Sequence, residues 1–240
     1  MSTALVTGAG QGMGAAIAAR LARDGHAVAV NDINAETARA TAERIGGAAY
    51  PFDVSDPDAA AAALGELGAV DVLVANHAYM TMAPFEAADP GDWARTIDVN
   101  LLGTATLIEL VAPGMRERGF GRIVVIASEW GVIGWPNATA YAASKGGLIA
   151  LVKSAARALG PHGVAVNAIA PGITDTPQLQ VDADDAGISL AEMIERYAAD
   201  VPLGRVGDPA DIAEVVAFLC SEHAIALVGQ VLQPNGGTTR

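Results

Sequence analysis

Short apolar runs alternate along the whole chain with segments of helical periodicity, and this alternation constrains the fold more than any other feature. The runs are rich in valine and isoleucine, which is typical of strands buried on both faces. Strands are expected at Thr3–Thr7, His26–Asn31, Ala48–Phe52, Val70–Ala75, Ile123–Ile126, Val164–Ala168 and Val228–Leu232. Strands alternating with helices predict an α/β fold with one doubly wound parallel sheet of about seven strands and helices on both faces.

The connecting helices are expected at Ala15–Arg23, Ala35–Ile45, Pro57–Leu67, Pro90–Arg118, Tyr141 to about Gly160, and Asp208–Cys220. A length of 240 residues with 52% apolar residues is enough for one sizeable core. No stretch has the composition of a linker or of a separate substrate domain. Residues 1–240 are therefore expected to form one domain, with the substrate bound by loops at the carboxyl edge of the sheet.

The first strand runs directly into a glycine-rich loop, Gly8-Ala-Gly-Gln-Gly12-Met-Gly14. Glycines let a backbone turn tightly and approach a phosphate, and the N-terminus of the following helix offers free N–H groups. The spacing is T-G-x-x-x-G-x-G rather than G-x-G-x-x-G, because Ala15 stands where a third glycine counted from Gly10 would be. The loop indicates a nucleotide site; the alternative is a merely flexible turn.

The second strand leads to Asp32, 18 positions after Gly14. An acid at about this offset accepts hydrogen bonds from the adenosine ribose and repels a 2′-phosphate. Neither Gln11 in the loop nor Ile33 after the acid supplies a cation for that phosphate. Asp32 therefore predicts NAD rather than NADP. The alternative is that Asp32 simply caps the helix at Ala35–Ile45.

The stretch from Ile123 to Lys145 carries the residues with the clearest chemistry. Its strand delivers Ser128 to the carboxyl edge of the sheet, where open α/β sheets bind ligands. Tyr141 and Lys145 then stand four apart and share one face of a helix. An ammonium group favours a nearby phenolate, so Lys145 is expected to lower the pKa of Tyr141 from about 10 toward the range of an acid/base catalyst. On spacing alone, a surface helix with a chance Tyr–Lys pair is the favoured alternative.

Asn100 lies inside the long, mostly apolar helical segment Pro90–Arg118. Asn is a poor helix former because its side chain competes for backbone hydrogen bonds. On helix physics alone, a buried Asn that bonds the backbone is the favoured interpretation.

Residues 174–201 show no strand pattern, only a polar, acidic loop and one amphipathic segment, Leu190–Tyr197. Long connections at the ligand edge of a sheet are often lids. This stretch is therefore expected to cover a substrate.

Charge and cysteine content exclude several classes of function. The formal net charge is −13 without any cluster of basic residues, which argues against a nucleic-acid partner. Cys220 is the only cysteine, so neither an intrachain disulfide nor a Cys-x-x-Cys metal site is possible. No metal site is expected. The chain lacks a basic N-terminal region and any uninterrupted apolar run of about 18 residues, so no membrane segment and a cytoplasmic location are expected.

Together these residues resemble the signature of the short-chain dehydrogenase/reductase family, from Thr3 to about Gly237. The matching positions are Thr7-Gly8-x-x-x-Gly12-x-Gly14, Asp53, Asn100, Ser128, Tyr141-x-x-x-Lys145 and Pro171-Gly172 with Thr176. Each motif alone is weak, but their order, spacing and context are specific. The resemblance implies a Rossmann-type fold, a nicotinamide cofactor and a homotetramer that pairs the helices carrying Asn100 and Tyr141.

The resemblance also implies a role for each matching position. Tyr141 would be the general acid/base, Ser128 would orient the substrate oxygen, and Lys145 would bind the nicotinamide ribose and depress the pKa of Tyr141. Asn100, at a kink in its helix, would hold a water that links Lys145 to solvent. The implied cofactor-binding residues are Gly8, Gln11, Gly12, Met13, Gly14, Asp32, Asp53, Val54, Asn76, Tyr141, Lys145, Pro171, Gly172, Ile173 and Thr176.

Two departures from the family pattern stand out. The usual Asn-Asn-Ala-Gly after the fourth strand is Ala75-Asn76-His77-Ala78, which puts the local backbone in doubt and brings an imidazole near the nicotinamide. His77 could contact substrate or be a packed or solvated residue. Near the C-terminus, Gln233-Pro234-Asn235-Gly236-Gly237 replaces the usual Val-Asp-Gly-Gly, a change expected to concern packing between subunits.

The substrate pocket is expected to use residues after Ser128 and residues of the lid. The candidates are His77, Tyr79, Glu129, Trp130, Trp135, Gln178 and Leu179. Two tryptophans favour a mainly apolar cavity with room for a ring, although each candidate could equally be ordinary packing. Glu129 and the lid acids Asp182, Asp184 and Asp185 make an anionic substrate unfavourable.

These inferences predict an NAD-dependent oxidoreductase acting on a neutral, partly apolar secondary alcohol or ketone, a small-molecule substrate. One alternative is a 3-oxoacyl-[acyl-carrier-protein] reductase, which would need NADPH and basic residues at the pocket mouth. The other is a catalytically silent dinucleotide-binding sensor. A sensor needs only the glycine loop and Asp32, so the presence of Ser128, Tyr141, Lys145 and Asn100 together argues against it.

Overall fold

All seven predicted strands lie in one sheet in the computed structural model, which describes residues 2–239. The strands are Thr3–Val6 (β1), Ala27–Val30 (β2), Ala48–Ala49 (β3), Val72–Ala75 (β4), Gly121–Ile126 (β5), Val164–Ile169 (β6) and Val231–Leu232 (β7). Their order is β3-β2-β1-β4-β5-β6-β7, and every pairing is parallel. The predicted doubly wound, Rossmann-type α/β sheet is confirmed.

The helices connect the strands and cover both faces of the sheet. They are Gly12–Arg23 (α1), Ala35–Ile45 (α2), Pro57–Leu67 (α3), Pro90–Ile97 (α4), Gly103–Arg118 (α5), Trp130–Ile133 (α6), Thr139–Leu159 (α7), Pro177–Ala186 (α8), Leu190–Ala198 (α9) and Pro209–Cys220 (α10). Successive strand residues face opposite sides of the sheet. Leu5 and Leu73 therefore pack with α3, α5 and α7, whereas Val6 and Val74 pack with α1, α2 and α10.

The sheet order reverses between β1 and β4, whose crossovers leave in opposite directions. A crevice forms at such a point because the loops after the two strands diverge. The carboxyl ends of β1, β4 and β5 therefore place the glycine loop, Asn76 and Ser128 around one opening.

The predicted polar loop in the lid is wrong for residues 177–186, which form α8. Pro177 suits the first turn of a helix because its missing N–H needs no partner there. Leu179 and Ala183 stand four apart and are both buried, which gives this acidic segment a packing face. The predicted amphipathic segment is confirmed as α9, which begins with a capping box at Ser189.

Element ends also differ from prediction. The third strand keeps only Ala48–Ala49, because Pro51 has no N–H for a ladder. Helix α1 starts at Gly12 rather than Ala15, so the last glycines of the loop already belong to the helix.

By length and composition, one helical stretch, Pro90–Arg118, could cross a membrane. It comprises α4, a five-residue π-turn at Asp98–Leu102, and α5, and 44% of its most apolar window is buried in the fold. Core helices of globular proteins meet the same criterion, so this is weak evidence for a membrane segment.

Candidate active site

The glycine loop follows β1 and closes against the end of β2. Gly10 N–H donates to Asp32 Oδ2 at 3.0 Å. Gly8 and Gly12 have φ values of +59° and +54°, which residues with a Cβ rarely adopt. The side chain of Gln11, at the N-cap of α1, makes no capping bond, so the first N–H groups of the helix are left for a ligand.

Asp32 is half-buried beside this loop and does not cap α2. Its Oδ1 accepts from the N–H of Asn34 at 3.0 Å, and it is Asn34 that caps the helix by accepting from the N–H groups of Glu36 and Thr37. The capping alternative for Asp32 is therefore wrong. The carboxylate instead borders a groove along the carboxyl edge of the sheet.

This groove has a volume of about 400 Å³. The predicted cofactor residues in its wall are Gly8, Gln11, Gly12, Met13, Asp32, Asp53, Val54, Asn76 and Thr176. Gly172 and Ile173 line the adjoining cavity, which shares Met13 and Thr176 with the groove. Pro171 and Gly14 are buried beneath the surface.

The residues of the groove fit a nicotinamide dinucleotide. Asn76 Nδ2 donates to the carbonyls of Thr7 and Gly8 at 3.1 and 3.0 Å, but its Oδ1 is buried without a partner among residues 2–239. A buried acceptor in a groove wall is available to a donor on a ligand. Gly10 lies so close to Asp32 that a Cβ on Gly10 would be 2.8 Å from Asp32 Oδ2. The absence of a side chain at Gly10 therefore keeps the Asp32 carboxylate against the glycine loop.

Asp53 and Arg95 lie farther along the groove. Burial raises the pKa of Asp53, but hydrogen bonds from Ser55 and the charge of Arg95 outweigh it, so its pKa is below the usual value. The Arg95 guanidinium lies 5.0 Å from the centroid of the Tyr79 ring. The Arg95 guanidinium therefore interacts with Asp53 and with the Tyr79 ring at this end of the groove.

His77 joins the end of β1 to the π-turn. Its Nδ1 lies 2.7 Å from Thr7 Oγ1 and its Nε2 lies 3.2 Å from the Val99 carbonyl. A carbonyl only accepts, so Nε2 carries the hydrogen and Nδ1 accepts from the hydroxyl. The ring is packed and does not line the cavity that adjoins the groove. Among residues 2–239 the only non-glycine residue with positive φ is Asn137, so Ala78 adopts no conformation that would need a glycine.

The neutral state of His77 gives the protein an acid-sensitive stability. Burial, with a contribution from the charge of Lys145, lowers the pKa of His77 to about 3. In the unfolded chain this histidine takes up a proton near its usual pKa of about 6.5, so the unfolded state binds more protons between these values and stability falls as the pH drops.

Urea unfolding at pH 7.5 and pH 5 tests this expectation. The wild type is expected to lose about 2 kcal/mol more than the His77→Gln variant over this interval. His162→Gln, at an exposed position, is the control and is expected to behave as wild type. Equal losses in wild type and His77→Gln would contradict the assignment.

Ser128, Tyr141 and Lys145 meet at the carboxyl end of β5. Trp130 N–H donates to Ser128 Oγ at 3.1 Å, which fixes the turn after the strand. Lys145 is fully buried, and its Nζ donates to the Ile126 carbonyl at 2.7 Å and lies 5.4 Å from the centroid of the Tyr141 ring. The alternative of a surface Tyr–Lys pair is therefore wrong.

The expected lowering of the Tyr141 pKa is also wrong for the protein without cofactor. Burial raises the pKa of Tyr141 to about 12, and the hydroxyl of Ser128 opposes this only in part. Burial likewise lowers the pKa of Lys145 to about 7, so the ammonium is only partly charged near neutral pH. Desolvation disfavours the charged form of each residue and is the largest cause of each shift.

Asn100 lies in the π-turn Asp98–Leu102 between α4 and α5, where the helix is locally widened. Its Oδ1 accepts from Tyr79 N–H at 2.7 Å, and its Nδ2 donates to the Tyr79 carbonyl and to Ser144 Oγ at 2.9 and 3.0 Å. The prediction of a buried Asn that bonds the backbone is confirmed, and the irregularity lies where the family kink was expected. The water relay to Lys145 stays a prediction.

The cavity next to Tyr141 has a volume of about 230 Å³. Its walls combine apolar and polar residues: Met13, Ala78, Met80, Ser128, Glu129, Trp130, Tyr141, Gly172, Ile173, Thr174, Thr176, Gln178, Leu179, Asp182 and Tyr197. Four of the predicted substrate residues are thus present, namely Glu129, Trp130, Gln178 and Leu179. Residues of both lid helices contribute to one wall.

Three predicted pocket residues lie elsewhere. Trp135 stacks behind Trp130 with ring centroids 4.9 Å apart and outside the cavity wall, so it supports the pocket from behind. His77 and Tyr79 line the cofactor groove. Sequence reasoning missed Met80 and Tyr197; the strong amphipathicity of α9 was the available signal for Tyr197.

Glu129 connects the cavity wall to the C-terminal segment. Thr238 Oγ1 donates to Glu129 Oε2, and Asn235 also contacts the carboxylate. Burial raises the pKa of Glu129, and these two hydrogen bonds oppose the shift. The altered C-terminal sequence, expected to concern subunit packing, therefore also contacts the site within the chain.

Among residues 2–239, no group of three or more His, Cys, Asp or Glu side chains is arranged to hold a metal ion.

Comparisons with known proteins place this geometry in context. The family model described as enoyl-(acyl carrier protein) reductase matches residues 8–239. The chain is 38% identical to cis-4-hydroxycyclohexanecarboxylate dehydrogenase of Sinomonas cyclohexanicum, over 98% of this chain and 96% of the relative. It is 36% identical to acetoacetyl-CoA reductase of Rhizobium meliloti and to 3-oxoacyl-[acyl-carrier-protein] reductase of Staphylococcus aureus, in each case over 98% of this chain and 97% of the relative.

Proposed function

The chain belongs to the short-chain dehydrogenase/reductase family, and on that premise we propose that it transfers a hydride between NAD(H) and a secondary alcohol or its ketone. The observation that carries the proposal is that Ser128 and Tyr141 line one cavity, with Lys145 buried beside Tyr141, and that this cavity adjoins a groove with Asp32 in its wall. The substrate is proposed to be a small, neutral and partly apolar molecule.

The bound nicotinamide supplies the hydride acceptor or donor, and the protein residues handle the proton and the substrate oxygen. Ser128 Oγ holds the carbonyl or hydroxyl oxygen beside Tyr141. In the protein without cofactor burial raises the pKa of Tyr141 to about 12, so the phenol enters the reaction protonated and can donate its proton to the oxygen of a ketone. In the reverse direction the phenolate accepts that proton, and a charged Lys145 stabilises it.

The preference for NAD rests on the half-buried carboxylate of Asp32, which disfavours a 2′-phosphate by charge repulsion. Asp32→Asn removes the charge while keeping an oxygen that can accept from the N–H of Gly10 or Asn34. The ratio of NADH to NADPH affinity, measured by fluorescence titration, is expected to fall at least about tenfold in this variant. Asp56→Asn, at the exposed N-cap of α3, is the matched control and is expected to leave the ratio unchanged.

A wild-type preference for NADPH would contradict the cofactor assignment and favour the second candidate, reduction of a 3-oxoacyl thioester. The names of the relatives from Rhizobium meliloti and Staphylococcus aureus support that candidate. The acids Glu129 and Asp182 in the cavity argue against it, because the carriers of such thioesters are anionic. Turnover of acetoacetyl-CoA with NADPH would decide in its favour.

A homotetramer and a cytoplasmic location stay predictions. The exposed apolar side chains of Leu102 in the π-turn and Leu110 on α5 support pairing of these helices between subunits. Light scattering of the purified protein measures the oligomeric state.

A further inference from the structure

Asp182 on α8 brings a negative charge to the wall of the substrate cavity. Gln178 Nε2 donates to its Oδ1 at 3.0 Å, and the hydroxyl of Tyr197 donates to its Oδ2 at 3.3 Å. Burial and the charge of Asp182 raise the pKa of Tyr197 to about 12, so this phenol stays a neutral donor. Both partners therefore orient the half-buried carboxylate without neutralising it.

Among residues 2–239 no basic residue lines the cavity, and the charge of Arg196 on α9 reaches only as far as Tyr197 among the lining residues with a shifted pKa. The lining contains no Lys, Arg or His, and none of the salt bridges formed by residues 2–239 includes Asp182. A second acid, Glu129, lies in the same wall, and the whole chain carries a formal charge of −13. A partly enclosed cavity lined by one sign of charge attracts ligands of the opposite sign.

Aromatic rings line the same cavity as this carboxylate. Trp130, Tyr141 and Tyr197 all line the cavity, and Trp130 is held by its stack on Trp135 and by an edge contact with Tyr141 at 6.0 Å between centroids. The faces of such rings attract cations, and their apolar surface accommodates a ring of the substrate. A carboxylate together with aromatic rings favours a protonated amine.

We propose that the preferred substrates are secondary alcohols or ketones that carry both a ring and a protonated amine. Asp182 forms an ion pair with that amine. This inference rests on the proposed reaction, because the same cavity must present the reacting carbon to the cofactor, but it replaces the neutral substrate proposed above with a cationic one. It ranks cationic substrates above neutral ones, and neutral ones above anionic ones.

The helix that carries Asp182 also offers a matched control. Gln180 Nε2 donates to Asp184 Oδ1 at 2.7 Å, so Gln178–Asp182 and Gln180–Asp184 are the same i, i+4 pair on one helix. Asp184 is exposed and does not line the cavity. Asp182→Asn and Asp184→Asn therefore remove the same charge from the same helix, and Asn can keep the hydrogen bond from Gln in both cases.

Three phenyl carbinols that differ only in the group beside the carbinol test the ranking. These are 2-amino-1-phenylethanol, 1-phenylpropan-1-ol and mandelate, each used as both enantiomers at neutral pH with the preferred cofactor. For wild type and Asp184→Asn, kcat/KM for the amino alcohol is expected to exceed that for the neutral carbinol by about tenfold, and mandelate to be the poorest. In Asp182→Asn the first two values are expected to converge within about threefold, mainly through KM.

A binding measurement separates failure of this inference from failure of the proposed function. Calorimetric titration of the cofactor complex with 2-phenylethylamine and phenylacetate requires no turnover. Tighter binding of the amine that is lost in Asp182→Asn and kept in Asp184→Asn supports the charge preference even if no carbinol reacts, in which case the proposed reaction fails alone. Equal binding of amine and acid, or the same change in both variants, overturns the inference whether or not the neutral carbinol turns over.

Discussion

Replacing Tyr141 by Phe is expected to lower kcat for the preferred alcohol or ketone by about 10³-fold. The substitution removes only the phenolic oxygen, so the ring keeps its edge contact with Trp130 and its place beside Lys145. The lost step is proton transfer to or from the substrate oxygen. NADH affinity, measured by fluorescence titration, is expected to stay within about threefold of wild type, because the proton transfer depends on the phenolic oxygen whereas Tyr141 does not line the cofactor groove.

Tyr50→Phe is the matched control, since Tyr50 packs partly buried against the core and lines neither the cavity nor the groove. It is expected to leave kcat unchanged. Full turnover by Tyr141→Phe would mean that another group moves the proton. A wild type that binds NADH but turns over no alcohol or ketone would instead favour the silent-sensor alternative.

The second large effect is expected from Gly14→Ala. A Cβ at Gly14 would lie 2.1 Å from the Gly8 carbonyl oxygen and 2.6 Å from Asn76 Nδ2. Both distances are far shorter than van der Waals contact, so the glycine loop must move away from α1. The loop then loses the conformation that is proposed to bind the cofactor. NADH affinity is expected to fall at least about 100-fold, and the free energy of unfolding to fall by about 2–4 kcal/mol.

Gly65→Ala provides the opposite case within the same protein. Gly65 also lies in a helix, α3, but no atom lies within 4 Å of its added Cβ. This variant is expected to gain about 1 kcal/mol in urea unfolding, because alanine loses less backbone entropy in a helix than glycine does. Similar results for both variants would mean that helix propensity, rather than the contact with Gly8, governs Gly14.

The sheet could be predicted from the sequence because strands buried on both faces leave continuous apolar runs. Their ends were less predictable, since a residue belongs to a strand only if a partner lies beside it. Val70 is apolar and buried but precedes β4, whereas Gly121 carries no strand signal and begins β5. Acidic α8 was missed for a related reason, because its packing face consists of only Leu179 and Ala183.

The candidate site also has features that could be predicted from the sequence and features that could not. Ser128, Tyr141 and Lys145 could be predicted to meet, because one buried strand and one helical spacing determine their positions. The raised pKa of Tyr141 could not, since it depends on burial by neighbours from other parts of the chain. The pairing of Asp182 with Tyr197 likewise joins two helices whose packing no local pattern encodes.

The parallel arrangement of the sheet has a consequence for how this protein matures. β1 pairs with both β2 and β4, and Thr7 contacts residues near position 75, so the opening between them exists only after distant parts of the chain have met. Ser128 and Tyr141 come later still in the sequence. Such long-range closure is slow compared with local helix formation. A partly folded chain therefore has no complete dinucleotide groove, and NADH added during refolding would be captured only by molecules whose sheet is already assembled.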